Sequence, residues 1–438
     1  MRIHSLTFVA LLFSVTLFGQ TGHILQGIGA KNMSMGGAST AQPIDISGAL
    51  QWNPASISTF DGQILKLDLG LFFSSPKLYS TVPEFNNLGQ PTGNFFSGST
   101  EDARGTSMLP SIAYVWGKED SKHTYGISAF GISGFGVTFP ENATNPINAP
   151  QSLGGFGRIE SDYMLLQVGF TWAYELSDRL SIGVEPTINY AALELMPNPT
   201  ANPTAAGYPS TDKTSALGFG MQLGLFYEAE SGFKAGVSYK TPQYFSDFDF
   251  DNTYLDGSTG SNSFNMDYPA IYSIGLGYSK NDFDLALDYR YVDYENTDGF
   301  SKTGWTNTAS VSGFGWNSIS VISAGLQYKG IKKLPLRLGY TYNSNPIASE
   351  VTFFNIPATA VIESAYQLGV SYVFNDRVTL DALYHYGTSN GKTSGPLLNP
   401  AFIPNFPPYG AIPGSEVSYD MTTSMVAFGI NYTFKNKK

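Results

Sequence analysis

Apolar and polar residues alternate with a period of two along about fourteen short stretches of this chain. In the first, Leu65, Leu67, Leu69 and Leu71 share one face while Lys66, Asp68 and Gly70 share the other. In a later one, Leu217, Phe219, Met221, Leu223, Leu225 and Tyr227 oppose Gly218, Gly220, Gln222 and Gly224. Successive side chains of a strand point to opposite faces, so this pattern predicts strands with one apolar and one polar surface. They are predicted near 63–73, 108–117, 123–137, 161–175, 180–194, 215–228, 232–241, 264–279, 283–294, 318–329, 334–343, 361–374, 377–388 and 421–434.

The connections alternate as well. Those near 117–121, 175–179, 228–232, 279–282, 329–333 and 375–376 are short and polar; those near 74–107, 138–160, 195–214, 242–263, 295–317, 344–360 and 389–420 are long and rich in Gly, Pro, Asn and Ser. Short turns at one end and long loops at the other describe an outer-membrane β-barrel, with the turns in the periplasm and the loops outside the cell. Because the series opens and closes with a long loop, both termini are expected on the periplasmic side. The lipid-facing wall accounts for charged residues at only 13% and for 27 tyrosines, which suit interfacial girdles.

Two segments precede the strands. Met1-Arg2 and the apolar run from Leu6 to Phe18, ending at Gly19-Gln20, read as a signal peptide over 1–19. No other stretch approaches the roughly 18 to 20 apolar residues of a membrane-spanning helix, so a helical membrane protein is excluded. Residues 20–61 lack alternation and are rich in Gly, Ala and Ser. Such small residues can pack inside a lumen, and we read them as a plug, leaving 62–438 as the barrel. Within it, Asn53 before Pro54 and Ala55 places a preferred cap ahead of proline, which predicts the start of a short helix.

Charge and chemistry narrow the function. The net charge of −11 offers no basic stripe for nucleic acid, although acidic loops could meet lipopolysaccharide through divalent cations. Without cysteine there are no disulfides and no thiolate chemistry, and His4, His23, His123 and His385 show no metal spacing, so no cofactor is expected. Gly387-Thr388-Ser389-Asn390-Gly391 matches a nucleophile-elbow pattern but lacks the following helix. Asp247, Asp249 and Asp251 resemble the start of a calcium loop, yet Asn252 replaces its glycine and Ser258 its closing glutamate; strand alternation accounts for them better. No catalytic residue is assigned.

Three features point to a passage instead. Gly131, Gly134 and Gly136 interrupt the third strand, where they mark either an ordinary bulge or a side window to the bilayer. Lys240, Arg290 and Arg337 fall on the lumen face, where each either holds a ligand carboxylate or pairs with an acid such as Glu185, Asp288 or Asp381. The loops carry Phe245, Phe248, Phe402 and Phe406, apolar for a surface in water; they pack on one another or capture an apolar ligand.

The run Gly27-Ile28-Gly29-Ala30, Met35-Gly36-Gly37-Ala38, Asn53-Pro54-Ala55 and Phe60-Asp61 resembles the hatch of the FadL/TodX family, and weaker matches continue to Phe428–Phe434. That resemblance implies a fourteen-stranded antiparallel transmembrane β-barrel with an N-terminal hatch. It further implies passive transport of hydrophobic compounds such as long-chain fatty acids, with lateral release beside a kinked third strand. Asn53, Pro54 and Ala55 match the hatch motif; no carboxylate-binding residues carry over. The terminal Lys435–Lys438 departs from the usual final aromatic. The alternative is a related barrel acting as the shuttle partner of a protein secretion system.

Overall fold

The computed structural model describes residues 22–86, 91–117, 121–205 and 207–435. The expected signal peptide lies outside them. Fourteen long strands form one closed antiparallel wall: β1 (Gln63–Phe85), β2 (Ser107–Trp116), β3 (His123–Phe139), β4 (Ile159–Ser177), β5 (Leu180–Met196), β6 (Thr214–Glu228), β7 (Phe233–Lys240), β8 (Ala270–Lys280), β9 (Phe283–Asp293), β10 (Ile319–Tyr328), β11 (Leu336–Asn343), β12 (Ser364–Val373), β13 (Val378–Thr388) and β14 (Glu416–Thr433). Each pairs with the next, and the ring closes where β1 meets β14 without a break from Ile64↔Thr433 to Thr81↔Glu416. Closure leaves no bare edge at that seam, the condition for putting strands in lipid.

Burial is inverted relative to a water-soluble fold. Leu67, Leu69, Leu223, Leu225, Ile274, Leu276, Leu338 and Leu368 are all exposed, while their lumen-facing neighbours Lys66, Asp68, Gln222 and Arg337 are buried. The apolar faces thus form an outer band suited to hydrocarbon. Aromatic rings collect beside the short turns: Trp116 stacks on Tyr125 at 5.6 Å and His123 on Trp172 at 6.0 Å. This is the amphipathic belt expected at a membrane interface. Among the described residues no helix is long and apolar enough to cross a membrane.

The strands differ from the sequence reading mainly at their outer ends. The expected loop at 74–107 is largely ordered, because β1 runs on to Phe85 and pairs with a ribbon, Pro91–Glu101. The last strand starts at Glu416 rather than near 421, because the lengthened β1 gives it more partners. The strand expected from 264 starts at Ala270, after Pro269, which has no N–H for a ladder. Inside the expected 242–263 loop, Phe248–Thr253 pairs with Thr259–Phe264, so Asp249 and Asp251 alternate outward along a hairpin.

Residues 22–62 lie inside the ring. Two short helices, α1 (Ala30–Met33) and α2 (Ile46–Trp52), precede a 3-10 turn, Pro54–Thr59. Asp45 caps α2 by accepting from Gly48 N, and Asn53 caps the 3-10 turn by accepting from Ala55 N with Pro54 at its first position. This segment bonds or abuts β1, β3, β5, β6, β7, β8, β9, β10, β11 and β12, which only an interior body can do.

Candidate functional site

The hatch is held by a polar lumen wall. Lys66 on β1, fully buried, lies 2.7 Å from Asp381, 3.1 Å from Asp45 and 3.6 Å from Asp68. Asp68 accepts from Ala30 N at 2.9 Å, so the wall's charges reach α1 and the cap of α2 together. On the far side, Asp288 on β9 accepts from Ser39 N, Thr40 N and Thr40 Oγ1 at 2.8–2.9 Å. A buried charge is tolerable only when paired and hydrogen-bonded, and the hatch backbone supplies part of that satisfaction.

Two of the three basic residues singled out in the sequence belong to this lattice. Arg290 pairs with Asp288 at 2.7 Å, donates to Gly37 O at 2.6 Å and lies over the Trp52 ring at 3.8 Å. Arg337 lies 3.6 Å from Asp381 and donates to Ser34 Oγ and Ser371 Oγ, each at 2.7 Å. Lys240 makes no contact ion pair: it donates to Gln167 Oε1 at 3.2 Å, and its counter-charge, the expected partner Glu185, faces it from two strands away with Gln222 between them in register. All three are buried, and both arginines are committed to wall and hatch.

Asn53 anchors the other flank, donating to Thr40 O at 2.7 Å and Leu225 O at 2.9 Å. The wall opposite is glycine. A Cβ on Gly183 would stand 2.3 Å from Ala55 N, one on Gly224 2.0 Å from Asn53 Oδ1, and one on Gly236 2.1 Å from Thr40 O. The sequence reading missed this docking surface, although its signal was present: glycine recurs at lumen-facing positions of consecutive strands. It also missed the roles of Lys66, Asp68 and Asp45, which depend on how the hatch folds back on β1 and, for Lys66, on Asp381 more than 300 residues away.

The wall opens between β2 and β3. β2 and β3 pair only from Ser111↔Phe130 to Trp116↔Tyr125. Beyond that rung β2 continues through Ser107–Pro110 paired to β1 alone, and Pro110 offers no N–H toward β3. β3 carries a bulge at Ile132, with Gly131 opposite Leu166 and Ser133 opposite Leu165. Its freed inner side takes a different partner: Leu25 N donates to Ile132 O and Gly134 N to His23 O, each at 3.0 Å. The glycines of the sequence reading therefore sit where β3 leaves β2 and receives the hatch's first residues.

A cavity of about 360 Å³ runs through this gap. Its inner end is lined by His23, Leu25, Phe72 and Met421, and its outer end by Met108 and Met164, both exposed on the apolar band. The His23 ring stacks on Phe300 at 4.8 Å and its Nδ1 lies 2.8 Å from Tyr294 Oη. Burial pushes this imidazole down to about 3, so it is neutral in place.

The loop aromatics divide. Phe245 and Phe248 are buried in the main apolar core, whereas Phe402 and Phe406 face each other at 6.4 Å near the surface, outside it. A separate apolar hollow between the loops is lined by Phe156, Tyr208, Trp305, Phe353, Phe354 and Pro357. Ser389 of the elbow-like motif bonds Gly391 O, and no cluster of three or more metal-ligating side chains occurs among the described residues.

Comparison with known proteins fits this geometry. The family model described as outer membrane protein transport protein (OMPP1/FadL/TodX) matches residues 21–435. The chain matches no curated protein. It is similar in fold to the toluene transporter TodX of Pseudomonas putida (TM-score 0.66, 16% identity, covering 94% of this chain and 100% of that one). It is likewise similar to a FadL homologue of Pseudomonas aeruginosa (0.70, 14%, 95% and 100%) and to the toluene transporter TbuX of Ralstonia pickettii (0.63, 17%, 94% and 99%). A closed fourteen-stranded wall filled by its own N-terminal segment, matched by one family model along nearly its whole length, places this chain in the OMPP1/FadL/TodX family of outer-membrane transport proteins.

Proposed function

We propose that the chain is a passive conduit for small hydrophobic molecules, taken up at the loops and released sideways into the bilayer between β2 and β3. The supporting observation is the apolar cavity that crosses the wall where Ser107–Pro110 and Gly131–Gly136 part company. Pocket and bilayer both reward apolar burial at roughly 25 cal/mol per Å², so the outward step is nearly level and needs no energy source. The hollow around Trp305 and Phe354 is a suitable landing place on the way in. We assign the short-turn end, where the described chain leaves β14, to the periplasm; the first described residues, Gly22 and His23, sit inside the barrel against Tyr294 and Phe300 of the long-loop end.

Neutral hydrocarbons suit the cavity better than fatty acids. Its lining includes one cation among the described residues, Arg104, and that is paired with Asp162 at 2.5 Å. A carboxylate cargo would have to displace this partner. The glycines of β3 serve in this reading as the kink, and the residues from Gly22 to Leu25 as the inner shutter.

The test uses the absence of native cysteine. Pro110→Cys with Gly131→Cys, bridged by a short thiol-reactive bis-maleimide, is expected to abolish uptake of labelled toluene by cells dependent on this barrel, and each single variant treated alike is expected to keep it. Unchanged uptake in the bridged protein rules out the side exit. Unchanged uptake on deleting the barrel, with secreted proteins accumulating inside the cell, would favour the shuttle role instead.

A further inference from the structure

Arg104 lies at the outer edge of the gap, in the strap that joins the Pro91–Glu101 ribbon to β2. The strap is pinned to the kinked strand: Ala103 N donates to Thr138 O at 2.7 Å, and Asp102 accepts from Thr138 N at 2.5 Å and from Arg104 N at 3.2 Å. From there the arginine side chain crosses the outer face of β3. A Cβ at Gly136 would lie 1.1 Å from Arg104 Nη1, so the guanidinium occupies the space a side chain at that position would fill. It ends on β4, donating from Nη1 to Ser161 O at 3.1 Å and pairing through Nη2 with Asp162 at 2.5 Å.

These contacts frame the opening. Its lower edge is the Ser111↔Phe130 rung, its sides are β2 and the bulged β3, and its upper edge is the strap bonded to Thr138, from which the Arg104–Asp162 bridge runs on across the outer face of β3. Arg104 and Asp162 are the only formally charged residues lining the cavity among those described. Asp162 faces the outside just above the exposed apolar Met164 and Leu166, and also binds Lys213. The bridge therefore stands where the hydrocarbon band ends and the polar outer layer begins.

We propose that Arg104, tied to Asp162, is a specificity-determining residue: it is a crossbar that limits the bulk of the hydrophobe able to leave through the gap. The proposal rests on the lateral-exit reading above. A part-exposed ion pair contributes little to stability, so the crossbar can be removed with the barrel intact. Glycine at 136 is required for the same reason, since a larger residue would evict the guanidinium.

The experiment compares uptake of a one-ring hydrocarbon, toluene, with that of a three-ring one, phenanthrene, in cells whose own copy is deleted and which express wild type, Arg104→Ala, Arg104→Lys, Asp162→Asn or Lys213→Met. Heat-modifiable gel migration checks folding. Arg104→Ala is expected to raise the phenanthrene-to-toluene ratio at least threefold. Asp162→Asn, which unties the guanidinium without removing it, should raise it less. Arg104→Lys and Lys213→Met, which leave a cation across Gly136, should stay near wild type. A folded Arg104→Ala barrel with an unchanged ratio overturns the proposal, as does equal loss of both cargoes, which would mark Arg104 as a mere brace. If wild type moves neither hydrocarbon faster than the deletion strain, the transport reading itself has failed, and the crossbar with it. If Arg104→Ala does not fold, an unchanged ratio in folded Asp162→Asn is sufficient to reject the idea.

Discussion

At the scale of single residues, the lumen is governed by charges that each face two bodies. Asp288 satisfies Arg290 on the wall and three donors on the hatch, so Asp288→Ala strands a buried guanidinium and frees Ser39 and Thr40 at once. Breaking such a pair costs about 3–5 kcal/mol, enough to shift hatch docking by about two to three and a half orders of magnitude. The expected outcome is a marked rise in single-channel conductance in planar bilayers and faster proteolysis near Thr40. Asp381, Asp68 and Asp288 could be placed on the lumen side from alternation alone. Which atoms they bind could not, because the hatch has no periodicity from which to orient its donors.

His23 adds a pH dependence. Its imidazole is held near 3 in the shutter, against about 6.5 when free, so undocking takes up a proton below pH 6.5. Docking is therefore at full strength above that value and weakens on acidification, by about 1.4 kcal/mol per pH unit down to about 3. Amide exchange at Leu25 and Gly134, corrected for intrinsic pH effects, should accelerate about 15-fold between pH 6.5 and 5. His23→Phe should remove that acceleration. Scattered histidines gave no sequence signal because this one acts through burial, not through spacing.

At the scale of elements, β3 departs most from a plain stave. Its extra residue, Ile132, lets the strand above it turn inward while the pairing with β4 resumes at Ser133↔Leu165. Deleting Ile132 should let β3 extend its pairing to β2 toward Pro110. Toluene uptake is expected to fall about tenfold while heat-modifiable migration stays normal. The glycines announced this irregularity, since they carry no side chain to hold an alternating pattern. The bare edge of β2 was announced too, by Pro110, but a proline near a strand start reads equally well as a boundary. The Pro91–Glu101 ribbon escaped notice because both of its faces are wet beyond the membrane, where no alternation is imposed.

At the scale of the molecule, the wall was legible because lipid enforces a period of two on every strand, and the fourteen segments match the observed ring. The interior was less so. Small residues showed that 20–61 could fit inside, but not that glycines on β5, β6 and β7 would be shaped to receive them. Placing valine at Gly224, opposite Asn53, should push the hatch from its seat and raise conductance as Asp288→Ala does. Removing 22–59 entirely should give a still larger pore or no stable barrel, since Lys66, Arg290 and Arg337 would lose their hatch partners.

The seam between β1 and β14 joins residues more than 330 positions apart, and the hatch is threaded directly into β1. Contacts so distant in sequence form late. The stopper must therefore be seated, or at least enclosed, before the first and last staves zip together, because a finished cylinder offers no side door wide enough to admit it. Assembly and filling become a single event, and a variant that seats its stopper poorly should close its seam more slowly, lingering as an open, protease-sensitive curl before it matures.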